Sequence, residues 1–355
     1  MKKLLILSLL LLFNINKADN HTELKVSEVN MENSPIEGVK FSFIETNGIR
    51  MRLAEMGSDG PLVLFAHGWP ESWYSWRHQL TALSEAGFRV VAPDMRGYGE
   101  TDAPEEIDKY DIEQLSADMV GILDALGEET ATIVGHDWGA PVASHSALIY
   151  PDRFTKLVIM SVPYTGRQDQ NPLEGLKAVF QDNFFYILYH NEQGGVAEKE
   201  YDSDPRGLLS RFYLSPDSPR EEPKITDSKR SAGGFLPRIG AAKGLPGWLK
   251  QEDLDYVVNQ FEKAGFRGGV NYYRNIERNW EITVDLEDFA IKVPTLFLAG
   301  SQDMVIQGAT KEMLQSSMEK SIPNLQEVIL LPNIGHWVQQ EAPEETNQAL
   351  LNFLQ

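Results

Sequence analysis

Residues 131–140, Ala131-Thr132-Ile133-Val134-Gly135-His136-Asp137-Trp138-Gly139-Ala140, run a short apolar segment through a G-x-x-x-G turn into a helix-forming stretch. Ala131 to Val134 shows no polar alternation, as expected of a strand covered on both faces. Ala140 to Ile149 carries helical spacing. Small residues at both flanks of the turn permit the strained strand-to-helix connection called a nucleophile elbow, which pushes its central side chain out at the top of a sheet. That side chain is a carboxylate, Asp137. A serine there would point to acyl transfer. An aspartate instead attacks an sp³ carbon and forms an alkyl ester, which water must then cleave.

Outward from this turn the same alternation continues. Val39 to Ile44 and Ile49 to Ala54 read as two antiparallel edge strands, joined by Asn47-Gly48, a dipeptide suited to a tight hairpin. Pro61 to Ala66, Phe88 to Ala92 and Leu157 to Met160 read as buried strands, and Trp76 to Ala86 and Ile112 to Leu126 as helices. The order resumes with strands at Thr295 to Ala299 and Gln326 to Leu331 and a closing helix over Glu341 to Leu354. Strands alternating with helices through right-handed crossovers give an α/β fold, a mostly parallel central sheet flanked by helices. Residues 164–288 break the alternation. They are rich in aromatics and helix-like at Leu176 to Tyr189, Gln251 to Ala264 and Asn271 to Trp280. The stretch reads as an inserted helical cap, so the core comes in two pieces, 38–163 and 289–355. Within the cap, Ser215 to Gly234 is polar and aperiodic and reads as a solvated loop, with gating as the sharper alternative.

Across 355 residues, 42% hydrophobic and 24% charged content is that of a soluble globular protein. Lys and Arg total 32 against 52 Asp and Glu, a net charge of −20. That balance opposes binding to nucleic acid or to anionic membrane surfaces. The absence of cysteine excludes disulfides, thiolate metal sites and cysteine nucleophiles. Lys2 and Lys3 ahead of the apolar run Leu4 to Phe13 match a secretory signal better than a membrane-spanning helix, so residues 1–18 are expected to direct a secreted or periplasmic protein with no membrane anchor. Residues 19–37 are polar and aperiodic, a leader or an edge extension.

A base and an acid follow Asp137 in chain order. His336 sits in Asn333-Ile334-Gly335-His336-Trp337, after the last strand, and Asp303 in Gly300-Ser301-Gln302-Asp303, after the preceding one. Nucleophile, acid, histidine is the order that three converging loops at the carboxyl ends of parallel strands require. Asp285 and Asp288 compete for the orienting role; the place directly after a strand favours Asp303. Of the seven histidines, His21, His78, His145 and His190 lack such a setting, and His67 and His136 suit the orientation of loops. His67-Gly68-Trp69-Pro70 follows the strand Pro61 to Ala66. The backbone N–H groups of Trp69 and of Trp138, the residue after the nucleophile, would form an oxyanion hole, with Pro70 fixing the turn.

The phrases HGWPESWYSWRHQ (67–79), DMRGYGETDAP (94–104), GHDWGA (135–140), GFRGGVNYYRNIERNW (265–280) and NIGHW (333–337) resemble the soluble epoxide hydrolases, specifically their α/β-hydrolase domain, over about residues 40–355. The resemblance implies the α/β-hydrolase fold. It also implies ring opening of a small hydrophobic epoxide to a vicinal diol with water as the second substrate, and no metal or cofactor. Two cap tyrosines are that family's ring-opening acids. The match puts one at Tyr273, in Asn271-Tyr272-Tyr273-Arg274, and the other at Tyr186. The spacing from Tyr186 to Gly195-Val196-Ala197-Glu198 differs from the family's by about one residue, so Tyr189 stays a rival. Tyr272 suits packing. Phe185, Tyr189 and Trp337 are expected to line the substrate pocket. Haloalkane dehalogenases share the aspartate, histidine and oxyanion loop, but need a second halide donor and carry no paired cap tyrosines. Fluoroacetate dehalogenases want Arg where this chain has Trp138. A non-catalytic secreted binding protein on the same scaffold is a further alternative. The complete set of nucleophile, base, acid and phenols argues for turnover.

Overall fold

The apolar runs become the strands of one sheet. The computed structural model describes residues 27–30, 34–286 and 289–355, and among them lie nine strands. These are β1 (Ser27–Asn30), β2 (Lys40–Thr46), β3 (Ile49–Met56), β4 (Leu62–Ala66), β5 (Arg89–Pro93), β6 (Ala131–His136), β7 (Phe154–Met160), β8 (Thr295–Gly300) and β9 (Leu325–Leu331). Their spatial order is β1-β2-β3-β5-β4-β6-β7-β8-β9. From β5 to β9 every pairing is parallel, while β1, β2 and β3 run antiparallel at one edge. Asn47 and Gly48 close the β2–β3 hairpin with left-handed backbone, φ 43° and 75°, as a type I′ turn requires.

Every residue of β4, β6 and β8 is buried, which is why these segments carry unbroken apolar runs. Each buried Val, Leu, Ile or Phe there contributes about 1.5–3 kcal/mol over its exposed state. The chain passes from β4 outward to β5 and then back across β4 to β6. This reversal of direction opens a crevice above the carboxyl ends of β4 and β6.

Of the two readings of residues 19–37 the sheet fits the edge extension, while the cap helices depart from the sequence-based expectation in two places. The polar stretch 19–37 contributes β1 to the sheet edge, so the hairpin is not outermost; residues 1–18, read as a signal, lie outside the described residues. Leu176 to Tyr189 is two helices, Pro172–Phe180 and Tyr186–His190. Asn171 caps the first early through its side chain, and Gln181 ends it with φ 50°. Asn271 to Trp280 is likewise divided at Asn275 into Arg267–Arg274 and Ile276–Ile282. The Asn275 side chain leaves the helix to donate to the Ile107 carbonyl at 2.6 Å. The passage 215–234 is largely exposed but tied down by backbone bonds, Glu221 N–H to Ala241 O at 2.8 Å and Ile225 N–H to Pro237 O at 3.0 Å. No helix of the described residues is long and apolar enough to cross a membrane.

Candidate active site

The nucleophile elbow forms as the glycines dictate. Asp137 has φ 49°, strained for a non-glycine residue. A Cβ on Gly135 would strike the Gly139 backbone, and one on Gly139 would strike the carbonyl of Ala66, so strand, turn and helix can close up only without side chains there. The Asp137 carboxylate emerges 14% exposed. The loop after β4 reaches it: the Trp69 N–H donates to Asp137 Oδ1 at 2.7 Å, just ahead of a cis Trp69-Pro70 bond. Among the described residues the Trp138 N–H has no hydrogen-bond partner, and it stands at the start of the helix Gly139–Ile149.

His336 comes over from the loop after β9. Its Nε2 lies 3.6 Å from Asp137 Oδ2 and its Nδ1 3.0 Å from Asp303 Oδ1. Burial works against a charge on this imidazole, but Asp303 and Asp137 outweigh it and hold its pKa well above the ordinary histidine value. Asp303 is fully buried. Burial would raise its pKa, yet His336, the Ser161 hydroxyl and the Val305 N–H bring it below the usual value. Asp285 lies exposed in a turn, and Asp288 is outside the described residues.

The cap supplies the opposite wall. Gly268 and Gly269 open the helix Arg267–Arg274; a Cβ on the first would hit the Gly97 backbone and one on the second would hit Trp69 and Tyr98. Their bareness seats the helix low enough to bring Tyr273 against Trp69 and Trp138, with ring centroids 5.8 and 5.1 Å apart. Tyr186 meets Tyr273 edge-on at 5.8 Å. Burial first, and the Asp137 charge second, push both phenols upward.

Tyr189 is not brought to Asp137. Three residues on from Tyr186, it turns to the flank of its helix, toward Glu200 and the rings of Phe184 and Tyr201. His190, four residues on, takes the place beside Tyr186: it is fully buried among Trp69, Tyr186 and Tyr273. Phe185 stacks on Phe180 at 4.0 Å. Trp337 is buried behind His336 with its indole N–H on the Phe212 carbonyl at 2.8 Å, a wedge between base loop and cap. Tyr272 packs against Tyr98, Tyr110 and Trp138.

Sequence reasoning missed two supports. Ser161, at the end of β7 with φ 73°, donates to Asp303 Oδ2 at 2.5 Å and lies 3.0 Å from His336 Nδ1. Glu71, fully buried, accepts from the Gly68 N–H at 2.9 Å, from His136 Nδ1 at 2.7 Å and from Gln339 Nε2 at 2.9 Å. His136 in turn gives its Nε2 proton to the His336 carbonyl at 2.8 Å, so three loops share one buried acid. Burial alone would raise Glu71, but His136 overrides it and holds the carboxyl down to about 2. The signal for Glu71 was in plain view, a charged residue beside a strand end in a Trp-rich run; nothing in the sequence marks Ser161. His67 donates through Nδ1 to Gly68 O and accepts the Met95 N–H at Nε2, which is an orienting role.

Residues 61–343 match the family described as alpha/beta hydrolase fold. The chain is 42% identical to epoxide hydrolase A of Mycobacterium tuberculosis over 88% of its own length and 96% of that protein's. It is 38% identical to bifunctional epoxide hydrolase 2 of Sus scrofa over 87% of its length and 54% of the longer protein. A crystal structure of epoxide hydrolase A from Mycobacterium thermoresistibile superposes with a TM-score of 0.81 at 45% identity, covering 89% of this chain and 98% of the other. An elbow bearing a carboxylate, a histidine and acid behind it and phenols in front, together with this similarity along most of the chain, lead to one conclusion: the chain belongs to the epoxide hydrolases of the alpha/beta hydrolase fold.

Proposed function

We propose that Asp137 opens the ring of a small hydrophobic epoxide as a nucleophile and that His336 then directs water onto the resulting ester, releasing a vicinal diol. Asp137 Oδ1, held by the Trp69 N–H, is the future carbonyl oxygen, which leaves Oδ2 to attack. As the Oδ2–carbon bond forms and the ring C–O bond breaks, charge grows on the departing oxygen. Tyr186 and Tyr273 donate to it, and one of them gives up its proton. Phenols raised by burial and by the Asp137 charge stay protonated until that moment. The ester carries no charge, so His336 loses one of the two carboxylates that held its proton; that proton passes by way of water to the phenolate, restoring the phenol, and the neutral imidazole becomes a base. It takes a proton from water. The hydroxide adds to the ester carbon, the Trp69 and Trp138 N–H groups hold the oxyanion, and the diol leaves with the old Oδ2, taking a proton from His336; Asp137, left as the acid, returns its proton to His336 and restores the resting pair.

The observation that carries this reading is the Asp137–His336–Asp303 line with two phenols packed over it, Tyr273 5.1 Å from the Trp138 ring and Tyr186 5.8 Å from Tyr273. Tyr273→Phe tests it in rapid-mixing experiments on an aryl epoxide, with a haloalkane as control. Ester formation is expected to slow by about 10²-fold while ester hydrolysis stays near the wild-type rate. Equal slowing of both steps would remove Tyr273 from the acid role, and halide release without diol would turn the reading toward a dehalogenase.

Export belongs to the same proposal. It rests on Lys2 and Lys3 ahead of Leu4 to Phe13, and N-terminal sequencing of the protein from its host checks it: a mature chain starting near residue 19 is expected, and an intact Met1 would refute it.

A further inference from the structure

Glu341, five residues after His336, grips the backbone on both sides of it. Its Oε1 accepts the Trp337 N–H at 3.0 Å and its Oε2 the Gly335 N–H at 3.2 Å. Other bonds pin the first half of the base loop. The Ser301 N–H donates to Leu331 O at 2.8 Å, the Gln302 N–H to Ile334 O at 2.9 Å, and the Asn333 N–H to Ser301 Oγ at 3.0 Å. Beyond Ile334 the hold passes to Glu341 and to the His136 bond on the His336 carbonyl. The same carboxylate lies beside the cap, where Ser215 offsets part of the burial that raises its pKa and the Trp248 indole N–H donates to the Ser215 hydroxyl at 2.9 Å. Gly335 is enclosed by this arrangement: a Cβ there would come within 2.8 Å of both Glu341 and Pro216.

We propose that Glu341 is a positioning residue for the hydrolytic half-reaction, fixing His336 from both flanking amides. The inference rests on the role given above to His336. Ring opening uses Asp137, the oxyanion N–H groups and the two phenols, none of which Glu341 touches. Hydrolysis needs His336 Nε2 aimed at a water in front of the ester carbon, and a displacement of about 1 Å in such an aim costs about 10²-fold.

Glu341→Ala is therefore expected to slow ester hydrolysis by about 10–100-fold with ring opening changed less than about threefold, so that the alkylated enzyme accumulates during turnover. Glu341→Gln should fall between it and the wild type, because an amide can accept one of the two N–H groups and opposes the other. Glu341→Asp, which keeps the charge but is one methylene too short to reach both N–H groups, should slow hydrolysis alone by a few-fold and tests the assignment if Glu341→Ala does not fold. Rapid-quench mass spectrometry of the Asp137 peptide reads both rates. Unchanged hydrolysis, or an equal slowing of both steps, would overturn the assignment. The covalent mechanism itself fails a different way: no adduct even when His336 is replaced. An adduct with His336→Gln but none with Glu341→Ala would sink the role of Glu341 alone.

Discussion

Asp137→Ala is expected to lower diol formation by about 10⁴-fold or more while the protein still folds and binds apolar epoxides. A methyl group cannot form the ester, and no other carboxylate can take over. Asp303 is fully buried with Oδ1 held by His336 and the Val305 N–H and Oδ2 held by Ser161. Glu71 is buried behind Gly68 with its oxygens committed to three donors. The loss to folding is small, since the Asp137 side chain gives up one hydrogen bond, from the Trp69 N–H. A second readout follows from electrostatics. In the wild type, Asp303 and Asp137 together overcome the burial that favours neutral His336. With Asp137 gone, burial opposes Asp303 alone, and the His336 titration followed by NMR should move to lower pH. Diol formation within tenfold of wild type would show that water attacks the epoxide directly and that Asp137 is not the nucleophile.

His336→Gln should let the first half of the reaction run and stop the second. Asp137 Oδ2, the Trp69 N–H and both phenols stay in place, so the ester forms. Without a base, its hydrolysis is expected to slow by about 10²–10⁴-fold. Intact-protein mass spectrometry after mixing with an aryl epoxide should show one added substrate mass, and digestion should find it on the peptide holding Asp137. Glutamine fills a space like that of the imidazole but takes no proton from water, so the stall reports the missing base and not a collapsed pocket. A variant that shows no added mass while turnover is lost would mean that His336 is needed for ring opening itself.

How much of this was legible beforehand depended on how local each feature is. The elbow could be read because a buried strand, two glycines and a helix start occupy ten consecutive residues, and the Asn47-Gly48 hairpin because a type I′ turn selects that dipeptide. Asp303 and His336 could be placed because each lies in the loop that follows a strand, and the two loops leave neighbouring strand ends. The cap was less legible. Its helices carry no strand-like period, and their breaks at Gln181 and Asn275 come from one left-handed residue and from one side chain drawn to a carbonyl of the core. Tyr186 and Tyr189 lie one turn apart on a five-residue helix, and a spacing altered by one residue could not separate them.

The amino-acid order alone determined the layered α/β architecture, the carboxylate at the strand-to-helix turn and the loops that carry His336 and Asp303. Backbone sterics and apolar periodicity act over a few residues at a time and leave their mark in short words. Tertiary structure alone decided that Tyr186 and not Tyr189 packs against Tyr273, that Ser161 and Glu71 lie beneath the site, and that His190 fills the gap between the phenols. The bonds involved join residues 65, 142 and 268 positions apart, and a hydrogen bond across two loops has no period for a sequence to display.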